Sequence, residues 1–267
     1  MSLPSSTVGD HLRTWRQRRH LSQLDLALEA DISTRHLSFM ETGRALPSRD
    51  MVLRLAERLE VPLRERNTLL VAAGFAPVFP RRDLDHPALA AARKTVDLIL
   101  TGHEPFPALA VDRSWNLVAA NRAVAPLMAG ADPTLLTGTV NVLRLSLHPL
   151  GMAPRIVNLD AWRTYILERL RREVDVTADA GLVALLAELR TYPTAKPAAR
   201  PSRSAPLDGI AMPLEIHVGD KLLSFLATTT VFGTATEVTL SELTLETFFP
   251  ANAETAAAVH AMASGFT

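Results

Sequence analysis

The segment from Ile32 to Arg44, ISTRHLSFMETGR, carries Thr34, Arg35 and Ser38 at spacings of three and four. On a helix such residues share one exposed face. A row of guanidinium and hydroxyl groups on a short surface helix is chemistry suited to hydrogen-bonding a patterned polar surface, and the base edges of a DNA major groove are one. The inward row of the same segment, Leu37, Met40 and Glu41, places a carboxylate where an oily residue is expected. A carboxylate taken out of water requires a partner.

The elements that would position these groups can be read on both sides. A first helix runs from about Val8 to His20, with Leu12, Trp15 and Arg16 on one face. A second follows Ser22, which has capping-box spacing to Asp25, and turns Leu26, Ala27 and Ala30 inward. Asp31 occupies the turn, where a left-handed backbone is needed and Asp is among the few side chains that tolerate it. Ser33 caps the third helix and Gly43 ends it. A fourth helix follows Pro47 and Ser48 with the stripe Val52, Leu55, Ala56 and Leu59, and a fifth starts at Pro62 and stops at Gly74. Two helices joined by a tight turn, the second showing short polar side chains, make a helix-turn-helix, whose second helix fits the major groove.

The bulk numbers bound the rest. The chain has 267 residues, 48% of them hydrophobic, which suits two domains. Cysteine is absent, which excludes disulfides and thiolate metal sites and leaves the cytoplasm as the expected compartment. The start, MSLPSSTVGDHLRTWRQRR, reaches charged helix before an apolar signal region could form, and no apolar run approaches a membrane span. The formal net charge of zero hides a gradient: residues 1–82 hold 13 Lys and Arg against 9 Asp and Glu, and the remainder is acidic by the same margin. A basic module joined to an acidic body fits a nucleic-acid partner.

Downstream, ALAAARKTVDLIL reads as a connecting helix closed by Gly102, and PALAVDRSWNLVAAN as a hairpin around Asp112, Arg113 and Ser114. LDAWRTYILERLRREV and AGLVALLAELR return to helical spacing. YPTAKPAARPSRSAP has no core-forming residues and reads as a mobile connector. The stretch from Met212 to Phe249 predicts three antiparallel strands. The expected fold is an all-α five-helix bundle followed by an α+β domain with one antiparallel sheet. The expected divisions are 1–76 for the helix-turn-helix domain, 77–104 for a linker and connecting helix, 105–250 for the second domain and 251–267 for a C-terminal tail.

Residues 8–74 resemble the lambda-repressor-type (XRE) helix-turn-helix family. The blocks RHLSFMETGR, PSRDMVLRLAE and VPLRERNTLLVAAGFAP more specifically resemble MmyB-like transcriptional regulators. FPALAVDRSWNLVAANRAV and NVLRLSLHP resemble that family's C-terminal ligand-binding domain. The resemblance implies a pairing of Arg16 with Glu41, a phosphate contact at Gln23 and base-reading roles for Thr34, Arg35 and Ser38, with Ser33 beside them. Arg suits guanine O6 and N7, Thr can touch a thymine methyl, and Arg44 and Arg49 suit phosphate contacts.

For the second domain the resemblance implies a PAS-like sheet and an apolar cavity able to hold a fatty-acyl chain. Trp115, Trp162, Phe225 and Phe232 are candidate cavity walls, although core packing accounts for them equally well. Arg144 and His148 are candidates to meet a ligand carboxylate at the cavity mouth; helix-end or surface roles suit them as well. No nucleophile elbow, zincin motif or phosphate loop is present, and the eight His lack ligand spacing. The expectation is a non-enzymatic, cytoplasmic DNA-binding regulator, homodimeric, with no metal and no cofactor other than a bound fatty acid or similar apolar ligand. The rival is a regulator whose second domain only dimerises or binds a protein partner. Asp112 and Asn121 are expected to serve turn and helix-cap chemistry.

Overall fold

The structure, a computed structural model, describes residues 7–193 and 212–264. The Pro- and Ala-rich connector lies outside the described residues beyond Pro193. The chain forms two compact units, one built mainly from residues up to 82 and the other from residue 83 onward.

The first unit contains α1 (Val8–Arg18), α2 (Gln23–Glu29), α3 (Thr34–Glu41), α4 (Arg49–Arg58) and α5 (Leu63–Ala72). Local chemistry sets the ends of these helices. Thr7 with Asp10 and Ser22 with Asp25 form reciprocal capping boxes, and Ser33 and Ser48 cap the amides of His36 and Met51. Each such cap is worth about 1 kcal/mol. Pro62 is the residue before the first turn of α5, with an extended ψ of 149°, so the helix begins one residue later than the proline signal implies. Asp31 adopts a φ of 54° in the α2–α3 turn. Leu12, Leu26, Leu37, Met40, Leu55 and Leu70 are fully enclosed in the shared core, each contributing on the order of 1.5–3 kcal/mol.

The second unit is α+β. After α6 (Ala90–Gly102) come β1 (Ala108–Val111) and β2 (Leu117–Ala120), then α7 (Ala125–Met128), α8 (Pro133–Leu136) and α9 (Val142–Leu147). The long α10 (Leu159–Thr177) and α11 (Ala180–Thr191) precede β3 (Pro213–Val218) and β4 (Lys221–Val231). β5 (Thr244–Pro250) and α13 (Ala253–Ser264) complete it, while the short α12 (Val238–Ser241) that precedes β5 in the chain counts with the first unit. The five strands form one sheet in the order β2-β1-β5-β4-β3, every neighbouring pair antiparallel. The hairpin and the three late strands therefore join a single sheet, with β5 inserted between β1 and β4.

Two details depart from the sequence reading. Asn121 makes no helix cap; its carbonyl oxygen accepts the Ala108 amide, and its Nδ2 donates to the Leu100 and Phe106 carbonyls, tying α6 to β1. The C-terminal segment is a helix rather than a tail through Ser264, because an alanine-rich sequence propagates helix readily. Thr255 and Val259, one turn apart, bury its inner face, and the Thr255 hydroxyl accepts the Ser224 amide of β4.

Candidate functional site

Two places on the molecule gather chemistry: the outer face of α3 and a cavity in the second unit. On α3, Leu37, Met40 and Glu41 point inward, and Arg35 and His36 are exposed, with Thr34, Ser38 and Phe39 half-buried beside them. The Arg35 guanidinium lies 5.2 Å from the Phe39 ring centroid and that of Arg44 lies 5.8 Å from it. One aromatic ring thus flanks two cations, limiting the rotamers each explores. From sequence Phe39 reads as a rim packing residue rather than a base wedge; half-buried four residues after Arg35, it packs against both cations. Arg44 follows the left-handed Gly43 (φ 73°) that ends the helix, and Arg49 is exposed at the first turn of α4.

Behind this surface lies a buried polar knot. Arg16 of α1 grips Glu41 bidentately, with Nε to Oε1 at 2.6 Å and Nη2 to Oε2 at 2.8 Å. Its remaining Nη1 donates to the Leu21 carbonyl at 2.9 Å. Gln23 Nε2 donates to Glu41 Oε2 at 2.8 Å, so this amide of α2 is committed at least in part to the core carboxylate. Arg13 adds a hydrogen bond from Nη2 to the Glu41 carbonyl at 3.2 Å. One side chain of α3 is therefore fastened to both α1 and α2. Burial alone would raise the Glu41 carboxyl, but hydrogen bonds from Arg16 and Gln23 and the charges of Arg16 and Arg13 outweigh it and hold the group below its usual range.

Gly9 completes the arrangement. A Cβ at this position would stand 2.5 Å from the Met40 carbonyl oxygen and 2.8 Å from that of Glu41. Only glycine allows α1 to approach the end of α3 so closely.

The cavity, of about 90 Å³, is lined mainly by apolar side chains, among them Leu117, Val124, Met128, Leu145, Met152 and Phe248. Trp115 and Trp162 are on its wall. Phe225 is not; it is fully buried in β4 with its ring 6.4 Å from Phe248. Phe232, half-buried just beyond β4, is also absent from the lining. Arg144 and His148 do not reach the cavity. Arg144 pairs with Glu188 at 2.8 Å, whereas His148 Nδ1 accepts the Leu150 amide and its ring meets Tyr192 edge-on.

The polar wall comes from residues that the sequence reading did not single out: Ser146, Tyr165, Arg169 and Glu246. Arg169 donates from Nη2 and Nη1 to the two oxygens of Glu246 at 2.7 and 3.1 Å. The same guanidinium lies 4.5 Å from the Trp115 ring centroid. Trp115 holds a φ of 65°, set by the Asp112 turn, in which Oδ1 accepts the Ser114 and Asn116 amides. Trp162, Ile166 and Arg169 recur at helical spacing on α10, which is the signal that could have exposed Arg169.

Among the described residues there is no cluster of His, Asp and Glu able to hold a metal ion, and no helix is long and apolar enough to cross a membrane. Comparison with protein families matches residues 12–66 to a helix-turn-helix model and residues 92–262 to the MmyB-like transcription regulator ligand binding domain. No curated protein matches the chain.

Proposed function

Because the chain belongs to the family of MmyB-like transcription regulators, we propose that it is a dimeric, sequence-specific DNA-binding regulator of the cytoplasm, controlled by a small apolar effector of fatty-acyl type held in the second unit. The helix-turn-helix match and the ligand-binding-domain match support DNA binding and a ligand-binding role at the coarser level. The finer reading draws on α3: an inner face locked by Glu41 and an outer face on which Phe39 flanks Arg35 and Arg44. That single arrangement carries the DNA assignment. It presents a guanidinium able to grip guanine at one end and a phosphate-reaching cation at the other.

A lone module of this size binds with limited affinity, and two-fold dimers reading half-sites about 34–36 Å apart are the usual solution. Effector control then requires that the ligand bind the DNA-competent and incompetent states with different affinity. The apolar wall around Trp115 and Trp162 supports a ligand reading over an assembly-only role.

Native and denaturing mass spectra of the freshly purified full-length protein test the proposal. A dimer mass carrying an extra component that is lost on denaturation is the expected result. Bare protein from several growth conditions, with operator affinity indifferent to cell-derived lipid extract, would refute effector control.

A further inference from the structure

If the cavity holds an effector, as just proposed, the polar end of that effector is decided by which polar atoms of the wall remain uncommitted. Arg169 is the one cation among the lining residues. Its Nη1 and Nη2 are spent on Glu246, its Nε lies 3.5 Å from Glu173 Oε1, and its face is covered by Trp115. Glu246 is further held by the Thr229 hydroxyl at 3.1 Å, and Glu173 by the Trp115 indole N–H at 2.8 Å.

One guanidinium thus faces two carboxylates. The two charged residues of the lining, Arg169 and Glu246, sum to zero, so the wall itself offers no net positive charge. Burial pushes the Glu173 carboxyl up, against the hydrogen bond from Trp115 and the charge of Arg169. An incoming carboxylate finds no unspent positive charge. To reach Arg169 it must displace Glu246, which is 5% exposed, and strand a buried anion.

The uncommitted capacity is uncharged. The Tyr165 hydroxyl makes no hydrogen bond among the described residues, and its ring stacks on Trp162 with centroids 5.4 Å apart. The Ser146 hydroxyl accepts the Trp162 indole N–H at 3.0 Å and retains its own proton to donate. Trp162 therefore anchors both hydroxyl-bearing residues at the wall.

We infer that the effector is an uncharged apolar molecule with an ester, amide, ketone or alcohol group that hydrogen-bonds the Tyr165 or Ser146 hydroxyl, and that free carboxylates are discriminated against. A fatty-acyl chain enters as an ester or amide, not as the free acid.

Chain-matched probes test this on the full-length protein at neutral pH: octan-1-ol, octanamide, octanoate and octylammonium, titrated by calorimetry. The alcohol and the amide should bind at least about tenfold more tightly than either ion. Octanoate or octylammonium binding as tightly as the neutral probes would overturn the inference while leaving an effector site in place. Failure of all four to bind would instead remove the site itself, and the inference with it. A charge-switch variant gives a second arm: Glu246→Gln releases Arg169, so octanoate should gain about tenfold relative to octan-1-ol, with the alcohol's affinity reporting an intact cavity. No relative gain in a variant that still binds the alcohol would also overturn the inference.

Discussion

Replacing Glu41 by Ala is the most informative single perturbation of the first unit. The carboxylate, fully buried as a side chain, accepts from Arg16 at 2.6 and 2.8 Å and from Gln23 at 2.8 Å. Its removal leaves the Arg16 guanidinium buried, with only the Leu21 carbonyl still bonded to it. Breaking a buried pair in this way costs roughly 3–5 kcal/mol, a large part of the 5–15 kcal/mol that stabilises an ordinary domain. At about 1.4 kcal/mol per decade, protection of the slowest amides in α1 and α3 should fall by about two to three and a half orders of magnitude. Hydrogen exchange of the full-length protein, read on peptides covering these helices, measures it. The double replacement Arg16→Met with Glu41→Met removes both charges and should recover most of the loss. A single variant that loses less than about tenfold in protection, or a double variant no better than the single one, would refute the claim that an unpaired guanidinium is what destabilises the unit.

Arg35→Ala should relax preference at one base position, whereas Arg44→Ala should weaken all sequences alike and lower the salt slope by about one, both read from binding isotherms on varied operators at several salt concentrations. Gly9→Ala should cost about 1–3 kcal/mol in urea unfolding, because the backbone carbonyls of Met40 and Glu41 cannot yield without shifting α3. Glu41 also sets an acid limit. Its folded carboxyl titrates below the ordinary value of 4.5, so its stabilisation is complete above that pH and is lost as pH falls through the lower folded value. Acid titration of the wild type beside the Arg16→Met, Glu41→Met double variant should show the wild type losing more stability below that pH.

What could be read from sequence follows the range of the interactions. Caps, turns and stripes are local, so Ser22 with Asp25, Asp31, Gly43 and the Asp112 turn could be read as spacing, and with them the five helices and the strands. The cavity's polar wall could not: Arg169 and Glu246 are 77 residues apart, and on its own each looks like a solvated charge on a helix or a strand. Gly9 was equally silent, since nothing in its neighbourhood shows that a carbonyl of α3 approaches it. Phe225 and Phe232 were candidate cavity walls by residue type alone, but type does not say which face of β4, or which side of its end, a ring occupies. Asn121 misled for a related reason: its position suits a cap, but its amide is better satisfied by three backbone groups brought together by the tertiary fold.

The most direct test of the central claim is selection of bound sequences from a random duplex library by the full-length protein, followed by sequencing. Enrichment of a two-fold symmetric motif whose half-site centres lie about one helical turn apart is expected, with the preference at one position of each half-site lost in Arg35→Ala. A library that emerges unenriched from repeated rounds at moderate salt would contradict it.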